Sequence, residues 1–298
     1  MAEAEWLAEQ FEEHRSRLRA VAYRMLGSLT EADDAVQDAW VRVSRAETDE
    51  VENLGGWLTT VVARVCLNML RARTNRREQA WDGHLPDPIV SPPGDLAPEE
   101  EVLLADSVGL ALQVVLDALS PAERLAFVLH DMFELPFEEI APMVGRTPDA
   151  ARQLASRARR RVRGADTAVP DSGLADQRAV VDAFYAAARH GDLEALVAVL
   201  HPDVVLRSDF GVTAAGATRE IRGAKAVARQ ARPGAAPASE LHPALVNGTA
   251  GAVVTRQGRP FAVMAFTVSG GRITEIDIVG DPKRVARVAA SVLGANHK

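Results

Sequence analysis

The sequence predicts a multidomain protein in which two all-α domains precede a C-terminal α+β domain. Apolar residues recur at helical spacing through residues 1–80 and again through residues 99–165. Residues 81–98, between them, carry five prolines, which a regular helix does not accept. Beyond residue 200 the apolar residues fall instead in short β-branched runs, which are typical of strands. A chain of 298 residues is long enough for two or three such domains.

The first domain, residues 1–80, is expected to contain three helices. The first ends at Gly27, and the second follows with Thr30 as its N-cap and acids in its first turn, where the helix dipole favours them. The third begins near Leu54 and ends in a basic run. Residues 81–98 then form an extended, semi-stiff linker, because proline density of this kind also disfavours a central strand.

The second domain, residues 99–165, shows clear helix-start signals. The run Ser120-Pro-Ala-Glu123 is a capping box with proline at the first helical position. Pro136 opens the next helix and Gly145 ends it. Thr147-Pro148 then repeats the cap-plus-proline pattern, so two short helices follow each other at helix-turn-helix spacing.

The third domain, residues 174–293, changes from helix to sheet. Two helices separate at Gly191-Asp192, and a meander of strands with one embedded helix follows. We expect a turn at His201-Pro202-Asp203, a hairpin at 269–272 and a last helix after Asp281-Pro282.

Charge is distributed unevenly along the chain. The formal net charge is −7 and the pI is about 5.6, yet residues 145–164, "GRTPDAARQLASRARRRVRG", contain seven arginines and one acid, Asp149. The predicted packing stripe of this helix is Ala151, Leu154, Ala155, Ala158 and Val162. A solvated charged helix is the alternative to DNA contact, but a nearly pure arginine run repels itself unless a polyanion is present. The predicted DNA-contacting set is Arg146, Thr147, Arg152, Gln153, Ser156, Arg157 and Arg160.

Other classes of function have little support in the sequence. The single cysteine, Cys66, lies in an apolar run and cannot form an intramolecular disulfide. No apolar stretch approaches the roughly 20 residues that span a bilayer, and the acidic N-terminus is not a signal peptide, so a cytoplasmic protein without membrane contact is expected. The seven histidines lack metal-ligand spacing, so we expect no metal and no cofactor.

Two segments together resemble the extracytoplasmic-function sigma factors of RNA polymerase. "RMLGSLTEADDAVQDAWVRV" and "GWLTTVVARVCLNMLRARTNRRE" resemble their region 2, and "ELPFEEIAPMVGRTPDAARQLASRARRRV" resembles their region 4. The resemblance covers residues 1 to about 165 and implies a factor that binds core RNA polymerase, through the β′ clamp helices and the β flap, and promoter DNA. Region 4 would then read the −35 element with the arginine helix.

The resemblance also implies roles for residues in region 2. The core polymerase-binding set is Asp34, Gln37, Asp38 and Val41, which share one helix face. The −10 DNA-binding set is Trp57, Arg64, Asn68, Arg71, Arg73, Arg76 and Arg77. Trp57 either packs in the core or stacks on a base. The acidic loop 46–54 is where such factors recognise an extruded −10 base, and it does not disclose the base preferred here.

The third domain resembles SnoaL-like domains, which are members of the NTF2-like cone fold. "VVDAFYAAARHGDLEALVAVLHPDVVLRSD" carries this similarity, and a SigJ-like subgroup of the sigma factors has such a domain fused after region 4. The chain departs from that subgroup's motifs, with "LPDPI" in the linker, "DFGVTAAG" after the first strand and "DPKRV" near the end. The interdomain regulatory set is Leu85, Pro86, Asp87, Pro88, Asp209, Gly211, Asp281, Pro282 and Lys283.

The third domain is expected to regulate the sigma domains by packing on them or on the linker. A small ligand of unknown identity is a second hypothesis. Catalysis is a third, with Tyr185, His201, Asp203, Asp209 and His242 as the polar candidates, although they form no recognisable pair or triad in sequence and a non-enzyme is favoured. The main alternative to a sigma factor is a one-component helix-turn-helix transcriptional regulator with a small-ligand-binding domain. It leaves the region 2 helices without an explanation.

Overall fold

The computed structural model of the chain describes most residues of both predicted helical domains and of the C-terminal domain. The described residues are 2–46, 51, 53–75, 84–93, 109–164, 173–211, 218–231 and 239–295. The chain divides into two compact units. The first comprises Met1–Ala80, Pro98–Asp106 and Gln113–Asp166, and the second comprises Trp81–Ala97, Ser107–Leu112 and Thr167–Lys298. Within the described residues, no helix is long and apolar enough to cross a membrane.

The N-terminal helices of the first unit are α1 (Ala2–Leu26), α2 (Leu29–Val43) and α3 (Leu54–Asn75). Gly27 ends α1 with φ at +72°, the left-handed region that favours glycine. The expected N-cap of α2 was wrong: Ser28, not Thr30, is the cap, and its Oγ accepts from the Glu31 amide at 3.5 Å. The tight turn at Gly27 lets the new helix begin at once, so Thr30 lies within its first turn.

The remaining helices of this part of the chain are α4 (Gly109–Asp117), α5 (Pro121–Phe127), α6 (Phe137–Val144) and α7 (Pro148–Gly164). The capping box is confirmed, since Ser120 and Glu123 exchange hydrogen bonds at the start of α5. The ends of the helix-turn-helix are confirmed as well, with Pro136 before α6 and Gly145 in a left-handed conformation after it. A π-helical turn at Val128–Met132 extends α5, and the sequence did not indicate it.

Among its described residues, the second unit contains one seven-stranded sheet and four complete helices. Its helices are α8 (Leu174–His190), α9 (Leu193–Val199), α10 (Ala224–Gln230) and α11 (Pro282–Ala295). Its strands are β1 (Val90–Ser91), β2 (Leu200–Asp209), β3 (Thr218–Arg222), β4 (Ser239–Val246), β5 (Thr249–Arg256), β6 (Arg259–Ser269) and β7 (Arg272–Val279). The strand order is β1-β4-β5-β6-β7-β2-β3, and only the β2–β7 pair is parallel.

The core of the second unit lies between α8, α9 and α10 and one face of the sheet. Its largest buried side chains include Phe184 and Phe266, whose rings meet at 5.6 Å between centroids. The predicted hairpin is confirmed by the pairing of Ser269 with Arg272. An α+β C-terminal domain after two helical domains is therefore confirmed as the fold class.

The start of β2 corrects one expectation. His201-Pro202-Asp203 does not form a separate turn, because β2 already begins at Leu200. The β2–β7 register shifts between Leu200 and Val205, so the proline is accommodated in an irregular stretch of strand. The Asp203 amide donates to the His201 ring at 3.2 Å within this irregularity.

Candidate nucleic-acid interface

Helix α7 presents the face that the sequence predicted. Ala151, Ala155 and Ala158 are fully buried, whereas Leu154 and Val162 are half-buried. The predicted contact residues on the opposite face are all exposed: Arg152, Gln153, Ser156, Arg157 and Arg160. The packing stripe thus fixes the helix on its neighbours and leaves the polar face free to enter a groove of duplex DNA.

The start of α7 is well defined. The Thr147 hydroxyl accepts from the Ala150 amide at 3.3 Å, so Thr147 acts mainly as the N-cap. Arg152 pairs with Asp149 at 2.5 Å, and its guanidinium lies 5.3 Å from the centre of the Phe137 ring on α6. This side chain is therefore oriented before any ligand binds.

Acids from neighbouring helices neutralise part of the arginine run, which the sequence reasoning did not foresee. Glu123 on α5 pairs with Arg161 at 3.0 Å and with Arg157 at 3.4 Å, and Asp131 pairs with Arg159 at 2.5 Å. Although burial acts to raise the pKa of Glu123, hydrogen bonds from Ser120 and the two arginines lower it below its ordinary value. These ion pairs reduce the repulsion among the arginines, so the expectation that only a polyanion relieves it is wrong.

Some arginines of the run keep their charge available. Among the described residues, no carboxylate lies within ion-pair distance of Arg146, Arg160 or Arg163. Arg146 and Arg160 belong to the predicted set and lie at the start and in the middle of the exposed face. They are the side chains best placed to neutralise phosphates.

The acidic face of α2 is also exposed. Asp34, Gln37, Asp38 and Val41 all face solvent, and Val41 is 43% exposed. Asp33, beside them, is instead paired with Arg19 at 2.5 Å. Within the described part of the chain neither Asp34 nor Asp38 has a basic partner, so this face offers two free carboxylates beside an apolar side chain. Such a surface suits a basic, partly apolar partner helix.

The predicted −10 residues divide into three groups on α3. Arg64, Asn68 and Arg71 are exposed and share one face, because they lie four and three positions apart. Trp57 lies seven positions before Arg64 and is half-buried, which leaves packing and stacking both open. Arg73 is committed to an ion pair with Glu31 on α2. Arg76 and Arg77 lie outside the described residues, as does most of loop 46–54.

In the second unit, the linker is bound to the C-terminal domain by buried charges. The fully buried carboxylate of Asp209 accepts from the Leu85 amide at 3.0 Å and from Arg284 at 2.7 Å. Arg284 also donates to Asp87 at 2.6 Å and to the carbonyl of Leu85. We call Asp87, Asp209 and Arg284, with the backbone of Leu85, the linker clasp.

Strand pairing also attaches the linker to the C-terminal domain. β1 pairs antiparallel with β4 at the edge of the sheet. Pro86 and Pro88 precede β1, and prolines are tolerated there because an edge position does not need the N–H that proline lacks. The Ile89 amide donates to the Asn247 side chain at 3.0 Å, and Ser291 donates to the Val90 carbonyl at 2.8 Å. The linker is therefore an added edge strand rather than only a spacer.

The predicted interdomain residues around Asp281 converge on the clasp. The Asp281 carboxylate caps α11 by accepting from the amides of Lys283 at 3.0 Å and Arg284 at 2.9 Å. Gly211 must be glycine, because a Cβ there would lie 2.3 Å from Asp281 and its φ is +78°. Pro282 occupies the first position of α11, and the side chain of Lys283 is exposed.

Sequence reasoning missed Arg284 and Asn247. Arg284 immediately follows Asp281-Pro282-Lys283 at the start of α11. Its sequence neighbours do not indicate its partner Asp87, which lies 197 positions away. Asn247 carries a usable signal, since Asn-Gly between two apolar runs marks a hairpin turn, but its bond to the linker depends on the fold.

The polar candidates for catalysis are not brought together. Tyr185 packs in the apolar core, with its hydroxyl 3.8 Å from the Met264 sulfur, and burial raises its pKa. His242 contacts Thr255 at 3.1 Å on another strand pair. Asp209 belongs to the linker clasp, and Asp203 is exposed. A pocket of about 190 Å³ opens between α8 and the β4–β5 pair, with Arg178, Asp182 and Arg189 at its lining.

The single cysteine is a packing residue. Cys66 is fully buried in α3, and burial raises the pKa of its thiol to about 12. A thiol with that pKa is almost entirely protonated at neutral pH and is a poor nucleophile. Among the described residues, no group of three or more His, Cys, Asp or Glu side chains could hold a metal ion.

The fold and these surfaces define a two-region promoter-binding protein with an added α+β domain. The family Sigma-70 region 2 matches residues 10–76, and Sigma-70, region 4 matches residues 109–162. The chain is 38% identical to the ECF RNA polymerase sigma factor SigJ of Mycobacterium tuberculosis over 90% of this chain and 86% of that protein. The chain belongs to the extracytoplasmic-function sigma factors.

A second relative and a solved structure of the first also span nearly the whole chain. The probable ECF RNA polymerase sigma factor SigI of Mycobacterium tuberculosis is 36% identical over 94% of this chain and 95% of its own length. The crystal structure of the Mycobacterium tuberculosis extracytoplasmic-function sigma factor SigJ is similar with a TM-score of 0.74 and 34% identity. It covers 93% of this chain and 97% of that one, so the C-terminal domain is part of the shared architecture.

Proposed function

We propose that this protein directs core RNA polymerase to a set of promoters from the cytoplasm and that its C-terminal domain modulates this activity. The observation that carries the proposal is the pair of exposed, chemically distinct faces on one chain. One is an acidic face on α2, and the other is an arginine-bearing face on a helix-turn-helix. Family membership supports the pairing of the two.

The division of labour follows from the chemistry of each face. Asp34, Gln37, Asp38 and Val41 would bind the β′ clamp helices, since free acids and an exposed valine suit a basic, partly apolar helix. On α3, Arg64, Asn68 and Arg71 would meet the −10 element. On α7, Gln153 and Ser156 offer hydrogen bonds to base edges of the −35 element, whereas Arg146 and Arg160 neutralise phosphates.

Region 4 would also contact the β flap, as the family resemblance implies. The C-terminal domain would act through the linker, because the linker clasp and β1 attach the chain between regions 2 and 4 to that domain. We propose no catalytic step for this domain. Its polar candidates lie apart: Tyr185 contacts Met264, His242 contacts Thr255, and Asp209 binds the linker.

The proposal is tested by run-off transcription on genomic fragments with purified core polymerase and the full chain. Promoter-specific transcripts that require both components are expected. Charge reversal by Asp38→Arg should lower core binding at least tenfold and remove most transcripts, because it places a cation on the acidic face. Glu9→Arg changes an exposed acid outside that face and serves as the matched control.

The opposite result has a defined meaning. If the full chain neither binds core polymerase nor yields transcripts, but alone protects duplex DNA from nuclease, the sigma proposal is wrong. The chain would then be a one-component regulator that uses the same arginine helix.

A further inference from the structure

The pocket of the C-terminal domain lies between a helix and the sheet. Helix α8 forms one wall, and strands β4 and β5 form the other. β4 is also the strand that pairs with β1 of the linker, so the pocket lies beside the linker attachment. Its lining includes Arg178, Asp182, Tyr185, Arg189, Leu241 and Ala252.

The polar residues of the pocket share one face of α8. Asp182, Tyr185 and Arg189 lie four, seven and eleven positions after Arg178, and each spacing returns to nearly the same side of a helix with about 3.6 residues per turn. The adjoining face carries Phe184, which is buried in the core. One face of α8 therefore fixes the helix on the sheet, and the next face lines the pocket.

Two hydrogen-bond donors of this face reach neighbouring positions of the sheet. The Arg178 Nη2 lies 3.5 Å from the Ala244 carbonyl oxygen, and the Tyr185 hydroxyl lies 3.8 Å from the Met264 sulfur. Ala244 pairs with Gly251 on β5, and Met264 pairs with the next residue of β5. The guanidinium and the hydroxyl therefore converge on the same part of the pocket.

Both donors have weak partners within the protein. A separation of 3.5 Å is too long for a good N–H···O hydrogen bond, and a thioether sulfur is a weak acceptor. Burial raises the pKa of Tyr185, so its hydroxyl keeps its proton at neutral pH and remains a donor. Within the described part of the chain, no carboxylate lies within ion-pair distance of Arg178 or Arg189. An anionic acceptor would satisfy these donors better than their present partners do.

The volume of the pocket limits its ligand to about one ring. The pocket holds about 190 Å³. An apolar cavity of about 150 Å³ binds benzene, whereas drug-sized ligands occupy pockets of roughly 300 Å³ or more. Leu241 and Ala252 supply apolar surface for such a ring. The space suits a single ring with one small polar group and excludes a polycyclic ligand.

We propose that this pocket binds a small monocarboxylate with an apolar body of about one ring. The ligand carboxylate accepts from the Arg178 guanidinium and the Tyr185 hydroxyl, and the exposed Arg189 attracts it from solvent. Asp182 opposes the two arginines with one negative charge, which disfavours ligands that carry two. The inference does not depend on the proposed function, because binding is measured on the free chain.

Isothermal titration calorimetry of the full chain with benzoate tests the site. One-site saturable binding is expected, and benzamide, which has nearly the same shape but no charge, should bind about tenfold more weakly. Arg178→Gln should weaken benzoate binding about tenfold, and Asp182→Asn should strengthen it. Arg229→Gln removes the same charge at an exposed position of α10 outside the pocket, so its affinity should equal that of the unmodified chain.

Tyr185→Phe covers the case in which Arg178→Gln does not fold, because it removes only the hydroxyl. It should weaken benzoate binding several-fold and leave benzamide binding less affected, since a hydrogen bond to a charged acceptor is the stronger one.

The arginines of α7 also attract anions, so the place of binding is measured as well. Benzoate should slow amide hydrogen exchange in residues 178–189 and 241–252 of the unmodified chain and leave the exchange of α7 unchanged. Absence of saturable binding would overturn the inference. Equal benzoate affinity in the unmodified chain, Arg178→Gln and Tyr185→Phe would overturn it as well, because the anion would then bind elsewhere.

Discussion

Single arginines of α7 differ in what they contact, so they are expected to differ in how they bind DNA. Arg160 is exposed without a carboxylate partner among the described residues, whereas Arg159 is paired with Asp131 at 2.5 Å. Arg160→Ala should lower affinity for promoter duplex several-fold and reduce the slope of log affinity against log salt by about 1, because one phosphate contact is lost.

Arg159→Ala is the matched control for that prediction, since it removes the same charge from the neighbouring position. It should leave the salt slope unchanged and instead destabilise the packing of α7 on the rest of region 4. Fluorescence anisotropy titrations between about 50 and 200 mM salt measure both slopes. Equal slopes for the two variants would show that the ion pair does not withhold Arg159 from DNA.

The same residues show what the sequence could and could not predict at this scale. Helical periodicity identified the buried and exposed faces of α7 correctly, because a stripe of small apolar residues depends only on local spacing. It could not identify Glu123 and Asp131 as partners, since they lie 38 and 28 positions from the arginines that they bind. Charge along one helix is therefore a poor measure of the charge that the folded helix presents.

A cluster of buried charges in the C-terminal domain leads to a pH-dependent prediction. Arg207 on β2 pairs with Glu275 at 2.8 Å and Asp277 at 3.2 Å on β7, and with Glu220 on β3 at 3.6 Å. Burial raises the pKa of Asp277 to about 6, although Arg207 acts to lower it and Glu275 adds to the rise. Three acids share one guanidinium, so ionisation of Asp277 is only partly compensated.

The folded protein therefore keeps the Asp277 proton to a higher pH than the unfolded chain does. Asp277 contributes stability that is fully present below about pH 4 and is lost as the pH rises to about 6, and the loss is at most roughly 3 kcal/mol. Asp277→Asn should remove this decline. The decline is measured as the free energy of unfolding in urea at about pH 4.5, 5.5 and 7, with hydrogen exchange of the β7 amides as the reporter. Asp203→Asn, at an exposed position, is the control. A decline of equal size in Asp277→Asn and the unmodified protein would contradict the assignment.

At the scale of elements, α11 holds the linker through one side chain. Arg284 compensates Asp87 and Asp209, which are both buried, so Arg284→Ala leaves two carboxylates without their main partner. Breaking such a buried pair costs roughly 3 kcal/mol, more than a two-residue strand such as β1 can offset. Residues 84–91 should therefore exchange their amide hydrogens much faster in the variant, while the β5–β6 pair stays protected.

Lys283→Ala is the control for this prediction, because its side chain is exposed and only its amide takes part in capping α11. Hydrogen-exchange mass spectrometry of both variants gives the comparison directly. Protection of residues 84–91 that survives Arg284→Ala would mean that β1 pairing and the Ser291 contact hold the linker without the clasp.

Elements with local signals were predictable from sequence, and elements made by distant partners were not. Gly145, Gly191 and the Ser269–Arg272 hairpin marked their boundaries correctly, since glycine conformations and caps act within a few residues. β1 was missed because two residues between prolines carry no strand pattern. They become a strand only through the free edge of β4 and the side chain of Asn247.

For the whole molecule, the linker limits how regions 2 and 4 can separate. The chain between α3 and α4 comprises residues 76–108, which could extend to about 110 Å at roughly 3.3 Å per residue. That reach exceeds the distance between the −10 and −35 elements, which is about 85 Å for about 25 base pairs at roughly 3.4 Å each. Residues 84–91 are fixed on the C-terminal domain through the linker clasp and β1. This segment keeps its own extended length, but its fixed position restricts the arrangements that regions 2 and 4 can adopt.

Removal of the C-terminal domain is therefore expected to increase transcription. A chain that ends after Gly164 retains regions 2 and 4 and the whole linker but lacks Asp209, Arg284 and β4, which hold residues 84–91 in the full chain. At equal occupancy of core polymerase, it should yield several-fold more run-off transcripts than the full chain, and full-length Arg284→Ala should lie between them. Fewer transcripts from the shortened chain would show that the domain assists promoter binding instead, and the held linker would then have to be the conformation that polymerase uses.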